Sequence, residues 1–316
     1  MVGQLWSGVA GKLAERWIAQ SIPAFLYWLA AWCAWEIGGG SSVGSLTHRF
    51  DGLSGGAKIL AVALGLAAIG ASTGLVDRLV LPVTRLLEGY WPAWAAAGWA
   101  RLGARLGARL GARLGARLGW SSEQDRMKAL TTEYLRLAAD PDRWQAQLVA
   151  VQQQLRRYPV DPGRVMPTAL GNVLRAMEDR PRVRYGLETV LVWPHLWFGL
   201  ADGVRTDIAA ARAALDRSVA AVIWGAATVL LLVFTPWALL PAIIIPIVAY
   251  RAWVLPSAVS YADLISAAFD LYRLDLYRQL RLEPPKDAAA EPEQGTRLSQ
   301  YLLSGRSPGS GFAPVT

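Results

Sequence analysis

Ile59 to Val76 read ILAVALGLAAIGASTGLV, eighteen residues without a charge. As a helix the run rises about 27 Å, close to the hydrocarbon thickness of a bilayer. It constrains the fold more than any other stretch, because it reads as a membrane-crossing helix. Composition agrees. Of the residues 53% are hydrophobic and 18% charged, against about a quarter charged in a soluble domain, so a membrane class is expected. Fifteen Trp fit membrane interfaces, where an apolar ring and a polar N–H are both satisfied.

Three more spans are expected. Residues 22 to 37, IPAFLYWLAAWCAWEI, extended upstream by Trp17 and Ile18, make a first span over about 17–37. Lys12 and Arg16 precede it as they would a signal peptide, but no small-x-small cleavage site follows closely, so an uncleaved anchor is expected. The apolar block from Val219 to Leu255 is too long for one span. Thr235-Pro236-Trp237 is read as a turn, because Pro lacks an amide hydrogen, leaving spans at about 219–234 and 238–255. Pro241 and Pro246 predict that the last span is kinked or short.

The four spans pair as two hairpins. Residues 77 to 218 contain 21 of the 32 Lys and Arg, which places the central region and both termini in the cytoplasm. A net charge of +8 is then read as cytoplasmic loops beside anionic lipid. The single cysteine, Cys33, excludes an intrachain disulfide and a Cys-rich zinc site.

The expected fold is therefore all-α, a helical membrane protein. A transmembrane hairpin occupies residues 1–90, a basic linker or interfacial helix 91–120, and a cytoplasmic helical region 121–218. A second hairpin follows in 219–255, an amphipathic helix in 256–283 and a disordered tail in 284–316. Within the cytoplasmic region, Ser121-Ser122-Glu123-Gln124 resembles a capping box opening a helix to about Ala139. Asp140-Pro141 opens another, ending near Tyr158. Pro167 opens a third that Pro181 closes, and a long helix from near Asp202 runs into the third span. Tyr185 to Leu200 is apolar, short and broken by Pro194, so it is expected to pack on the membrane face or another subunit.

Residues 167 to 197, PTALGNVLRAMEDRPRVRYGLETVLVWPHLW, resemble a motif in a family of uncharacterised multi-pass bacterial membrane proteins. The matching positions are Pro167, Thr168, Leu170, Gly171, Asn172, Arg175, Glu178, Tyr185, Gly186, Trp193, Pro194 and Leu196. Ala169 and His195 stand where that family often has Arg. The resemblance implies a multi-pass protein of a bacterial inner membrane and no particular activity. The layout of two hairpins separated by cytoplasmic helices is also similar to bestrophin-type anion channels, which implies an oligomeric pore.

Gly70 to Gly74 read GASTG. As G-x-S-x-G the run would make Ser72 a nucleophile, but that elbow needs a preceding strand, a following helix and a base. As G-x-x-x-G, Gly70 and Gly74 sit one turn apart, and Ala63, Ala67 and Ala71 make a similar small-residue stripe, for helix packing within or between subunits. His48 and His195 fall on opposite sides of the expected membrane and cannot share a metal. Glu36 and Asp77-Arg78 end spans and are expected to be solvated at the two surfaces. Gly171, Asn172 and Arg175 are candidates for a polar contact, while Arg175, Glu178, Arg182 and Arg184 are expected in salt bridges. No phosphate loop, carboxylate pair or metal-spaced cluster stands out elsewhere. No cofactor, metal or enzymatic activity is expected.

From Arg101 to Gly119 the unit Arg-Leu-Gly-Ala recurs without variation. Each unit advances a helix by about 400°, so Arg101, Arg105, Arg109, Arg113 and Arg117 wind around it instead of forming a stripe. The interior glycines together cost on the order of 5 kcal/mol, and arginines beside an anionic leaflet return about 1 kcal/mol each. A helix in which these arginines contact the membrane surface is one expectation; a tandem duplication in a tolerant linker is the plainer alternative.

The expected partners are the lipid bilayer and further copies of the chain. An oligomeric pore or ion channel is the first functional reading. The alternative is a membrane-anchored scaffold presenting its basic helical region to a soluble cytoplasmic protein. Nucleic-acid binding and a hydrolase built on Ser72 are not expected.

Overall fold

The computed structural model describes residues 22–38, 52, 54–91 and 122–305. The Arg-Leu-Gly-Ala repeat with its five arginines, and His48, lie outside the described residues. Among the described residues every regular element is helical. In chain order these are α1 (Ile22–Ile37), α2 (Gly55–Glu88), α3 (Glu123–Ala138), α4 (Pro141–Leu155) and α5 (Ala169–Tyr185). There follow α6 (Thr189–Gly199), α7 (Asp202–Ala227), α8 (Leu239–Ala249), α9 (Leu255–Gln279) and α10 (Glu291–Ser304). A 3-10 segment, Thr228–Val233, extends α7, and a π-helical turn, Tyr250–Val254, joins α8 to α9. Three continuous helices, Gly55–Glu88, Asp202–Val233 and Pro236–Gln279, are long and apolar enough to cross a membrane, and Ile22–Ile37 is a shorter apolar helix.

The chain divides into two compact units. The first comprises residues up to Thr84 together with Asp216–Val254. Here α1 packs on the segment around the turn that follows α7. Ala34 is buried with Leu231 and Ala238, and the Tyr27 ring lies 5.3 Å from Trp224. The Tyr27 hydroxyl donates to the Ala227 carbonyl at 3.3 Å. Gly225 sits so close to Ile245 and Pro246 that a Cβ there would crowd both side chains, the small-residue contact that lets apolar helices approach.

The break between the last two apolar helices is where proline predicts it: Thr235 is extended and Pro236 opens the next turn. Two apolar helices continue beyond the residues expected to end their spans, and the last of them is not short. Pro256 has no amide hydrogen for the Ala252 carbonyl, and the chain absorbs that loss through the π-helical turn and continues to Gln279. Likewise α2 continues past Asp77 and Arg78, because side-chain charge leaves the helical backbone bonds intact. The helix stops at Gly89, whose φ of 99° departs from helical geometry.

The second unit, Arg85–Leu215 with Leu255–Thr316, has its own core. Val192 and Leu196 of α6, Phe269, Leu276 and Tyr277 of α9 and Leu298 of α10 are all buried together. On α9 the buried residues Ala258, Ala262, Ile265, Phe269 and Leu276 recur at helical spacing, the apolar stripe of an amphipathic helix. Trp193 lies 5.9 Å from Phe269 and 5.7 Å from Trp197. The apolar segment within residues 185–200 therefore packs one face on its own chain, while Val190 and Phe198 on the other stay exposed. Its helix of eleven residues rises only about 16 Å.

Two further expectations are corrected in this unit. The tail from Pro284 is not disordered throughout: α10 forms there, with Gly295, Leu298 and Ser299 buried and Glu293 paired with Arg297 at 2.6 Å on the outside. Its Pro, Glu and Ser content concealed an amphipathic helix whose apolar face has a partner. Pro181 does not close α5. The helix runs through it to Tyr185 and ends at Gly186, with φ of 68°. Pro181 withholds a donor from the Met177 carbonyl and crowds that turn, and the next carbonyl, Glu178, accepts from the Thr189 hydroxyl at 2.6 Å.

At the start of the unit, Ser122 caps α3, its Oγ accepting from the Asp125 amide at 3.1 Å. Asp140 occupies the N-cap of α4 without a side-chain capping bond, and Pro141 takes the first turn.

Candidate functional site

The residues singled out between 167 and 186 form the polar heart of the second unit. Thr168 caps α5 by accepting from the Gly171 amide at 3.0 Å. Gly171 must be small, since a Cβ would overlap the Glu88 carbonyl oxygen. The end of α2 thus lies directly on the first turn of α5. A Cβ on Gly89 would likewise overlap the Pro167 ring.

Asn172, one turn into α5, is 1% exposed. Its Oδ1 accepts from the Met166 amide at 2.7 Å and its Nδ2 donates to the Met166 carbonyl at 3.1 Å, so one side chain satisfies both polar groups of a loop residue. Nδ2 also donates to Glu123 Oε2 at 3.4 Å. The Tyr158 hydroxyl donates to the same oxygen at 2.8 Å, and Arg126 donates to the other at 2.7 Å. Burial, then the bond to Glu123, push ionisation of the Tyr158 hydroxyl up. This network ties the two ends of the α3–α4 hairpin to α5.

Arg175 points the other way. It donates to Glu178 at 3.2 Å and to the Tyr90 oxygen at 3.0 Å. Both borders of this contact line a cavity of about 210 Å³, with Glu88, Gly171 and Arg212 among its walls. Two carboxylates and two guanidinium groups therefore share one small space. Burial raises the Glu178 carboxyl above the usual carboxylate range; Arg175 opposes the shift and Asp179 adds to it. Such a group can hold and release a proton. A carboxyl raised by folding contributes stability that is fully present below its unfolded value and lost as pH rises through its folded value. Relative to Glu178→Gln, the wild-type chain is expected to lose thermal stability across that window. A difference between the two that does not change with pH would exclude this role.

The expected salt bridges form. Besides Arg175–Glu178, Arg182 lies 3.8 Å from Asp179 and Arg184 3.7 Å from Asp270. Tyr185 donates to Asp270 at 2.6 Å, and the Arg273 guanidinium stacks 4.2 Å from its ring. Gly186 terminates α5, Trp193 lines the core, and Pro194 is exposed on α6. His195 is exposed, with Nδ1 3.2 Å from the Leu191 carbonyl.

In the first unit, Ser72 lies inside α2, bonded to the Ala68 carbonyl at 2.8 Å and accepting from Trp28 Nε1 at 3.2 Å. Helix, not strand, immediately precedes it, which is not the setting of a nucleophile elbow. Ala63, Ala67 and Gly74 are exposed and Gly70 is half-buried, with open space where a Gly74 Cβ would stand. Asp77 and Arg78 are exposed. Glu36 is only half-buried, but its Oε1 is enclosed and has no hydrogen-bond partner among the described residues. It is therefore not the fully solvated group expected at a span end.

Glu88, Tyr90 and Arg212 escaped sequence reasoning, as did the Glu123–Tyr158 pairing, because their partners lie far along the chain and share no local pattern. Among the described residues no group of three or more His, Cys, Asp and Glu side chains is placed to hold a metal ion. No family model matches the chain, and no curated protein or solved structure matches it either.

Proposed function

We propose that the protein is a four-span protein of a bacterial inner membrane, with both termini cytoplasmic, that assembles into a homo-oligomeric ion-conducting pore. The reading rests on α2. Of its 34 residues only Val76 and Thr84 are buried, and its small-residue face at Ala63, Ala67 and Gly74 is uncovered. Small residues at one-turn spacing are where membrane helices meet, so further copies of the chain are the natural cover. Asp77 and Arg78 are exposed within the same continuous helix, with Leu79 to Val83 apolar again beyond them. Charged groups in such a helix settle against other helices or a water-filled path. The motif at 167–197 supports membership of a multi-pass family, and Arg101 to Arg117 would rest on the inner leaflet.

The test is flux from liposomes of neutral lipid containing the purified chain, under separate anion and cation gradients. Ion flux is expected, with Asp77→Asn changing the anion-to-cation preference. In a Cys33→Ser background, Ala67→Cys is expected to cross-link neighbouring copies. A folded monomer without flux would overturn the pore. It would leave the anchored scaffold as the reading, which the separate core of the second unit favours.

A further inference from the structure

Two cavities in the second unit adjoin, sharing Arg157, Val173 and Val259 in their walls. Every residue lining them belongs to that unit. The larger, about 440 Å³, has Leu130, Val173, Leu255 and Val259 along its apolar side. The smaller, about 310 Å³, is lined by Arg156, Arg157 and Arg180 against one carboxylate, Asp263. Both volumes fall in the range of small-ligand sites, where apolar walls supply burial and a few convergent polar groups fix orientation.

The basic cavity is built, not incidental. Arg180 is held by two bonds of 2.8 Å, from Nη1 to the Ser266 hydroxyl and from Nη2 to the Arg156 carbonyl. Those bonds leave further N–H donors on the same guanidinium. Elsewhere in the unit arginines of similar burial meet carboxylates, as Arg164 meets Asp179 at 2.9 Å and Arg273 meets Glu291 at 2.6 Å. Among the described residues none of Arg156, Arg157 and Arg180 forms an ion pair. Burial disfavours the charged form of Arg180, and the neighbouring Arg156 adds to that. A bound anion would offset both effects. Arg156 and Arg157 are exposed at the rim, which leaves a way in.

We propose that the adjoining cavities bind a single-chain phosphate amphiphile, with its phosphate among Arg156, Arg157 and Arg180 and its chain along Leu130, Val173, Leu255 and Val259. A phosphate monoester presents several charged oxygens to several guanidinium groups at once, whereas one arginine fork already satisfies a carboxylate. The apolar cavity next to the cluster separates this ligand from free phosphate.

The full chain, purified in a neutral maltoside detergent, is titrated with dodecyl phosphate and followed by native mass spectrometry. One dodecyl phosphate per chain is expected. Dodecanol, dodecanoate and inorganic phosphate, titrated separately, should each bind about tenfold more weakly or worse. Arg157→Gln changes an exposed side chain and should weaken dodecyl phosphate about tenfold, with Arg157→Lys recovering part of the loss. Leu130→Phe, which narrows the larger cavity and lines only that one, should weaken dodecyl phosphate and leave inorganic phosphate unchanged. No binding of dodecyl phosphate overturns the site. Equal binding of dodecanol removes the arginines from it, equal binding of dodecanoate removes the preference for phosphate, and equal binding of inorganic phosphate removes the chain. Each of these results, or unchanged affinity in both variants, defeats the proposal.

Discussion

Gly186→Ala is expected to destabilise the second unit by about 3 kcal/mol. Two causes act together. Gly186 has a φ of 68°, a left-handed conformation that costs an L-residue about 1–2 kcal/mol. A Cβ there would also overlap the Pro292 carbonyl oxygen, and backbone cannot move aside as a side chain can. The junction is reciprocal, since a Cβ on Gly295 would overlap the Tyr185 carbonyl oxygen. Around it, the Glu188 amide donates to the Ser299 hydroxyl at 2.9 Å, and Arg273 reaches Glu291 at 2.6 Å. In the full chain in neutral detergent, the thermal midpoint of this unit should fall by roughly 10 °C, and protease should cut residues 284–305 before the rest unfolds. Gly295→Ala should act alike, and the double variant should lose less than the sum, because both substitutions open one contact. An unchanged midpoint would show that α10 does not dock at this junction.

Asn172→Ala should cost a comparable amount, about 3 kcal/mol. The substitution removes few contacts but orphans several. The partly buried Met166 amide and carbonyl both lose their partner, and an unsatisfied group shielded from water costs about 1–3 kcal/mol. Glu123 loses a donor as well. Asn172→Asp separates hydrogen bonding from packing. It preserves the shape and the acceptor for the Met166 amide but sets a carboxylate beside the Met166 carbonyl and Glu123. Its ionised form is disfavoured in the folded chain, so its stability should recover at low pH and be lost as pH rises. Denaturant midpoints of the two variants at acidic and neutral pH measure this. Equal, pH-independent losses would mean that only volume matters at residue 172.

Several of these features were legible in the residues. Ser122 and Thr168 stand where caps were needed, Pro236 opens the turn between two apolar helices, and the period of Ala258, Ala262, Ile265 and Phe269 marks a buried stripe. Each is a local matter, settled by propensity, missing donors or periodicity within a few residues. Local rules failed where a neighbour intervened. Pro181 reads as a stop, yet it costs the bond to the Met177 carbonyl and the helix, packed on α9 and α10, runs on to Tyr185. The segment after Pro284 reads as disordered, yet Gly186 opens a seat for Gly295 and the segment becomes a helix.

The sites show the same division. Asn172 and Arg175 could be named as a polar contact from the motif they share, but not the tyrosines and carboxylates they meet. Glu123 and Tyr158 are 35 residues from each other, and Tyr90 is 85 from Arg175. The sequence by itself determined the helical class: in a bilayer, uncharged runs of this length close their own backbone bonds only as helices, and three helices of the chain are long and apolar enough to cross one. Tertiary structure alone decided which charges became partners, which glycines became contacts and where the arginines were left to gather around a cavity. Those outcomes depend on distances between residues remote in the chain, and no local pattern encodes them.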